Sequence, residues 1–176
     1  IKKEDMEKFA TKLFNAVINE NKKGYAVTEA NIKTKILNII NQSENDLCHT
    51  NGCKGGRKFI SFSQDGNIYP CEMIGSEINC LGNIYDGNDL ADLIDKALTT
   101  KPYFKEKKNE KCDSCPYYTF CKGGCTASAM AYNKKSGEID DVECNFNLAI
   151  YPLIIELILK EPELAEKLTR KNIRLL

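Results

Sequence analysis

Apolar residues recur along the first part of the chain at three- and four-residue steps: Met6, Phe9, Leu13, Phe14, Val17 and Ile18. That spacing puts them on one face of a helix, which should end before Gly24. Thr28 is placed to cap a second helix whose apolar face is Ile32, Ile36, Ile39 and Ile40. With no sheet partner nearby in sequence, the two helices either bundle with the C-terminal helices or end a larger domain lying upstream. The period then changes. Lys58 to Ser63 and Asn67 to Cys71 favour strands, and Gln64-Asp65-Gly66-Asn67 between them is a tight-turn sequence with a glycine free to take positive φ. A β-hairpin with a cysteine at its exit is expected. Asn88 or Asp89 should cap a third helix with Leu90, Leu93, Ile94 and Leu98 inward and Pro102 just past its end. Lys105 to Lys111 reads as a solvated linker. The segment Cys112 to Cys125 cannot be regular throughout, since four cysteines, Pro116 and Gly123-Gly124 fall within it. Two helices close the chain: one carries Tyr151, Ile154, Ile155, Ile158 and Leu159, the other starts after Pro162 with Leu164, Leu168 and Ile173 inward. The expected class is α+β, a small hairpin with loops flanked by helices.

Composition bounds the chemistry. At 176 residues and 42% hydrophobic, the chain can bury one ordinary core and a smaller satellite. The 25 Lys and Arg balance 25 Asp and Glu, so no electrostatic case exists for a nucleic-acid or anionic-membrane partner. The N-terminus, Ile1-Lys2-Lys3-Glu4-Asp5, has no initiator methionine and no signal-like apolar stretch, and is expected to be a cut end. Leu148 to Leu159, the longest apolar stretch, is broken by Pro152 and Glu156 and falls short of the roughly 20 residues of a membrane span. A soluble, cytoplasmic protein is expected.

Nine cysteines beside one histidine and no tryptophan is a strong excess. Secreted disulfides, structural zinc and iron-sulfur ligation could each account for it. The first 47 residues have none, and most of the nine sit in tight groups, which favours a cytoplasmic metal protein over a disulfide scaffold. The order is Cys53, twelve residues, Gly66, four residues, Cys71, then Cys112-x2-Cys115-x5-Cys121-x3-Cys125, and finally Cys144. Thiolates are soft ligands suited to iron, a cubane offers four iron corners, and short loops let neighbouring sulfurs reach adjacent corners. Gly123 and Gly124, like Gly55 and Gly56, are either ordinary turns or close approaches of backbone amides to cluster sulfur.

Cys53 through Cys144 resembles the SPASM domain, found C-terminal to the catalytic barrel of radical S-adenosylmethionine enzymes that modify peptides and proteins, such as the anaerobic sulfatase maturases and thioether-forming peptide maturases. The resemblance implies two auxiliary 4Fe-4S clusters. The first would take Cys53, Cys71 and Cys125, with Cys48 at a suitable distance to complete it. The second would take Cys112, Cys115, Cys121 and Cys144. It also implies a peptide or protein substrate, an electron donor such as ferredoxin or flavodoxin, and roles in electron transfer and substrate positioning. Residues 1–47 would then end a truncated catalytic region or its linker, 48–144 would be the SPASM-like domain, and 145–176 the C-terminal helices. Glu72, directly after Cys71, matches a position where sulfatase maturases place a proposed catalytic carboxylate; the alternative is a surface carboxylate. Cys80 lies outside the pattern as a buried thiol, and His49 reads as a solvated loop residue. Lys54, Arg57, Lys58, Lys111 and Lys122 are candidates to offset cluster charge. The catalytic Cys-x3-Cys-x2-Cys loop is missing: Cys121-x3-Cys125 has the first interval, but Ser128 follows where a third ligand is needed. S-adenosylmethionine therefore belongs only to a full-length enzyme, and the chain alone should be inactive. The competing reading is a zinc-binding protein-interaction module built on Cys112, Cys115, Cys121 and either Cys125 or Cys144. Zinc is also an artefactual occupant after aerobic handling.

Overall fold

A computed structural model describes residues 2–41, 53–101, 109–133 and 138–170. The class is α+β, as expected: mostly helical, with one small antiparallel sheet.

The first two helices are α1 (Lys3–Lys22) and α2 (Ala30–Asn41). On α1 the buried stripe is Met6, Ala10, Phe14, Val17 and Ile18, while Phe9 is 55% exposed and instead meets the ring of Phe146 at 6.3 Å. The helix ends as Gly24 takes φ +100°. Asn21 then ties the exit down, donating from Nδ2 to the carbonyls of Val17 (2.8 Å) and Val27 (2.7 Å). Glu29, not Thr28, caps α2: its carboxylate accepts from the Ile32 amide at 2.8 Å. A longer side chain one residue closer to the helix reaches the same orphan N–H.

The long closing helix α7 (Asp141–Lys160) is the axis of the helical core. It packs on α1, α2 and α8 (Pro162–Thr169), and Ile150, Ile154, Leu157 and Ile158 join Phe14, Val17, Ile32, Ile36 and Leu168 in one cluster. By length and composition α7 could cross a membrane; here it is the helix around which the other three pack. Two sequence expectations differ, since Leu159 is 68% exposed and Ile155 only half-buried, while Ile150 and Leu157 also face inward. The bundle thus joins the first helices to the last, and α7 begins before Cys144.

The sheet holds β1 (Ser61–Phe62), β2 (Asn67–Tyr69) and β3 (Gly82–Asn83) in that order, all antiparallel. The hairpin falls where expected with shorter strands, and Gly66 makes its turn at φ +78°, donating to the Ser63 carbonyl at 3.0 Å. The two-residue β3 has no hydrophobic pattern to announce it. It is held by Asn83, whose amide donates to the Asp65 carbonyl and the Asn67 side chain, both at 2.9 Å. Asp89 caps α3 (Leu90–Thr100), accepting from the Ala91 amide at 2.7 Å. This helix covers the sheet with Leu93, Ile94 and Ala97 over Ile68 and Leu81, while Leu90 points outward at 40% exposure.

Candidate functional site

Between sheet and bundle the chain from Asn109 to Asn133 forms three short helices, α4 (Glu110–Asp113), α5 (Tyr118–Cys121) and α6 (Thr126–Asn133). Asn109 caps the first, accepting from the Lys111 amide at 3.0 Å. Cys112 and Cys115 sit on and just after that turn. The Cys115 amide donates to the Cys112 carbonyl at 3.2 Å, which fixes the two side chains on neighbouring positions of one tight bend. Cys121 ends α5, and the next three residues, Lys122, Gly123 and Gly124, all take positive φ (49°, 80° and 73°). This left-handed turn reverses the chain between Cys121 and Cys125.

The reversal separates the thiols into two groups. Cys112, Cys115, Cys121 and Cys144 line a single cavity of about 310 Å³, with Gly123, Gly124, Lys111 and Asn147 also in its wall. The Cys144 thiol is pushed up to about 11, mainly by burial and then by Cys121, Cys112 and Cys115, with Lys111 opposing. Lys111, whose own pKa is raised by its ion pair with Asp141 at 2.9 Å, thus stands beside this group as expected. α7 supplies Cys144 from its first turn, where the cap Asp140 accepts from the Val142 amide at 2.8 Å. α5 is seated against the same helix by aromatic contact: Tyr117 stacks on Tyr151 at 5.5 Å, and Phe120 meets it at 5.8 Å.

Cys53, Cys71 and Cys125 form the other group. They pack with Phe59, Tyr69, Ile74, Ala127 and Met130 at the exit of the hairpin. Cys71 follows Pro70, which is fully buried at the end of β2. Burial raises the thiols of both Cys71 and Cys125, while backbone amides act against it: Met73 N–H lies 3.4 Å from Cys71 Sγ and Ser128 N–H 3.5 Å from Cys125 Sγ. Such donors favour the anionic sulfur that a metal needs.

Glu143 lies between the groups. Its Oε2 accepts from the Cys125 amide at 2.7 Å, and it immediately precedes Cys144 in α7. Asn147, one turn on, donates from Nδ2 to Cys121 Sγ at 3.2 Å. Ser128 Oγ donates to Asp140 Oδ2 at 2.6 Å and so ties α6 to the start of α7. None of Glu143, Asn147 and Asp140 was among the sequence candidates; the available signal was a polar residue at helical spacing from Cys144 in an otherwise apolar segment.

Two of the remaining described candidates, Cys80 and Glu72, fall outside both groups. Cys80 is half-buried with its thiol 3.3 Å from the Gly82 carbonyl, and Glu72 is exposed beside Cys71. Lys122 lies over the Tyr118 ring at 5.0 Å. Cys48 and His49 lie outside the described residues. Among the described residues no two cysteines are joined as a disulfide, and no group of three or more Cys, His, Asp or Glu is gathered tightly enough for one metal ion.

The chain is similar to an uncharacterised protein of Archaeoglobus fulgidus, 29% identical over 130 residues, which are 73% of this chain and 31% of that one. It is 25% identical over 171 residues to a cysteine-type anaerobic sulfatase-maturating enzyme of Clostridium perfringens strain 13, covering 89% of this chain and 40% of the relative. The chain therefore spans less than half the length of these relatives. Its fold is that of part of the solved, hexahistidine-tagged anSMEcpe with bound AdoMet, at a TM-score of 0.68 and 22% identity over 98% of this chain and 46% of that one. Native anSMEcpe with bound AdoMet and Kp18Cys peptide superposes at 0.61, over 89% and 43%. Residues 53–116 match the model of the SPASM family, an iron-sulfur cluster-binding domain. Residues 53–116 are thus similar to a SPASM iron-sulfur cluster-binding domain, in a chain that resembles part of the anaerobic sulfatase-maturating enzymes.

Proposed function

We propose that the chain holds two 4Fe-4S clusters, the first on Cys53, Cys71 and Cys125 with Cys48 as its fourth ligand, the second on Cys112, Cys115, Cys121 and Cys144. The observation that carries this is the convergence of four thiols on one 310 Å³ cavity. That volume is roughly ten times a water's share of liquid volume. A tetrahedral zinc with sulfurs at about 2.3 Å would need its ligands drawn to a point, whereas these surround a space. The donor set fits the cluster: soft thiols, backbone amides aimed at sulfur, and the Lys111 charge beside the second group.

When bound, such clusters supply one-electron transfer. The chain's own residues exclude water from one side of each group, with Tyr117, Ile139 and Leu148 in the wall of the second and Phe59, Ile74 and Ala127 packed against the first. The reading extends to the work of the chain: the auxiliary-cluster part of a cytoplasmic radical S-adenosylmethionine enzyme that modifies a peptide or protein. In it the clusters relay electrons between a catalytic cluster and a donor such as ferredoxin or flavodoxin, or hold substrate in register. The maturase relatives and the peptide bound to one structural neighbour support that substrate class. S-adenosylmethionine chemistry needs the Cys-x3-Cys-x2-Cys loop, which this sequence does not contain.

Anaerobic reconstitution followed by iron and sulfide analysis and electron paramagnetic resonance tests the assignment. The expected result is about eight irons and eight sulfides per chain, as two cubanes require. Stoichiometric zinc without sulfide in an anaerobically prepared sample would establish the interaction module instead.

A further inference from the structure

Asn147 is a buried polar residue beside the second thiol group that cluster ligation itself does not use. It is 4% exposed, sits three residues after Cys144 on α7, and lines the cavity of the second thiol group. Its Nδ2 donates to Cys121 Sγ at 3.2 Å, and its Oδ1 is buried with no hydrogen-bond partner among the described residues. Leaving a buried carbonyl unmet is costly, whereas leucine at this position would bring no unmet polar atom. The amide is therefore held at a cost that the sulfur contact must help to offset.

A thiolate ligand carries no proton and only accepts, so the orientation is fixed with nitrogen toward sulfur. An N–H donor at a cluster thiolate draws density from the sulfur and stabilises the electron added on reduction, which raises the potential. The neighbouring cation acts less directly. Lys111 is exposed and paired with Asp141, so water and salt screen it, whereas the Asn147 amide works from inside the core.

We propose that Asn147 is a positioning residue that sets the reduction potential of the second cluster through its hydrogen bond to Cys121. The inference rests on reading Cys112, Cys115, Cys121 and Cys144 as a cluster site. Its test is a redox titration, followed by electron paramagnetic resonance, of the anaerobically reconstituted full chain and of the variants Asn147→Leu and Asn147→Asp. The second-cluster signal is identified as the one missing from Cys112→Ala. Asn147→Leu should shift that signal's midpoint to more negative potential with unchanged iron content, and Asn147→Asp should shift it further by setting a carboxylate against the sulfur. The first cluster's midpoint should stay in place. An unchanged second midpoint in a variant that loads fully, or failure of both variants to hold the second cluster, overturns the inference. A wild-type chain with no second signal overturns the cluster assignment itself, which is a separate outcome.

Discussion

Gly124 shows how much of the site depends on single atoms. It sits at φ +73°, and a Cβ there would come within 2.7 Å of Glu143 Oε2, the same oxygen that accepts from the Cys125 amide. Gly124→Ala therefore meets both left-handed strain and a displaced carboxylate, and should cost about 1–3 kcal/mol in urea unfolding. Gly24→Ala is the control. Its φ is +100° but no atom lies within 4 Å of the added carbon, so it should carry the backbone strain alone and leave metal content unchanged. Cysteine and glycine positions were legible in the sequence because thiol chemistry and positive φ admit few substitutes. Glu143 and Asn147 were not, because a carboxylate or an amide on a helix has many ordinary uses, and only the fold brings these two against Cys125 and Cys121. Glu29 in place of Thr28 is a smaller case: two neighbouring side chains compete for one orphan amide, and local composition does not decide between them.

Among the elements, α7 carries the most. One of its faces builds the bundle with Ile150, Ile154, Leu157 and Ile158, and its first two turns deliver Glu143, Cys144 and Asn147 to the thiol groups. Ile154→Ala, at a fully buried position, should cost about 2–5 kcal/mol. Leu159→Ala, at 68% exposure, should change stability by less than about 0.5 kcal/mol. Urea midpoints at constant m separate the two, and equal losses would mean that α7 is not the centre of the core. The long helices were readable because a 3.6-residue period over many turns is a strong signal. The start of α7 was less so, since Asp141 to Cys144 face polar partners and carry no apolar period. The irregularity of Cys112 to Cys125 was readable, but the two short helices that enter it, α4 and α5, were not: with four cysteines, Pro116 and three left-handed residues, the order there comes from caps and turns rather than from a repeating face. β3 escaped for the same reason, as Gly82 is a strand residue only because Ile68 pairs with it and α3 lays Leu93 over it.

Taken over the whole molecule, the two thiol groups make the stability of the cluster-free chain depend on alkaline pH. Burial is the largest cause that raises Cys71, Cys125 and Cys144, the last from 9.0 to about 11, and neighbouring thiols add to it. The folded chain therefore keeps these protons over a range where the unfolded chain has released them. With more protons bound in the native state, unfolding free energy falls as pH rises. The contribution is whole below about 9 and disappears as pH passes through about 11. Lys111 and Tyr151, also raised, act in the same direction, so the cysteine part is isolated by comparison with Cys144→Ala. Thermal unfolding of the reduced, metal-free chain from neutral pH to about 11 should show a decline in midpoint that is shallower in that variant. Iron ligation demands thiolates and expels the same protons, so loading should become more favourable as pH rises, while the loaded chain should lose the cysteine-dependent part of the decline. A slope identical in the wild type and in Cys144→Ala would mean that the Cys144 proton is not held by the fold.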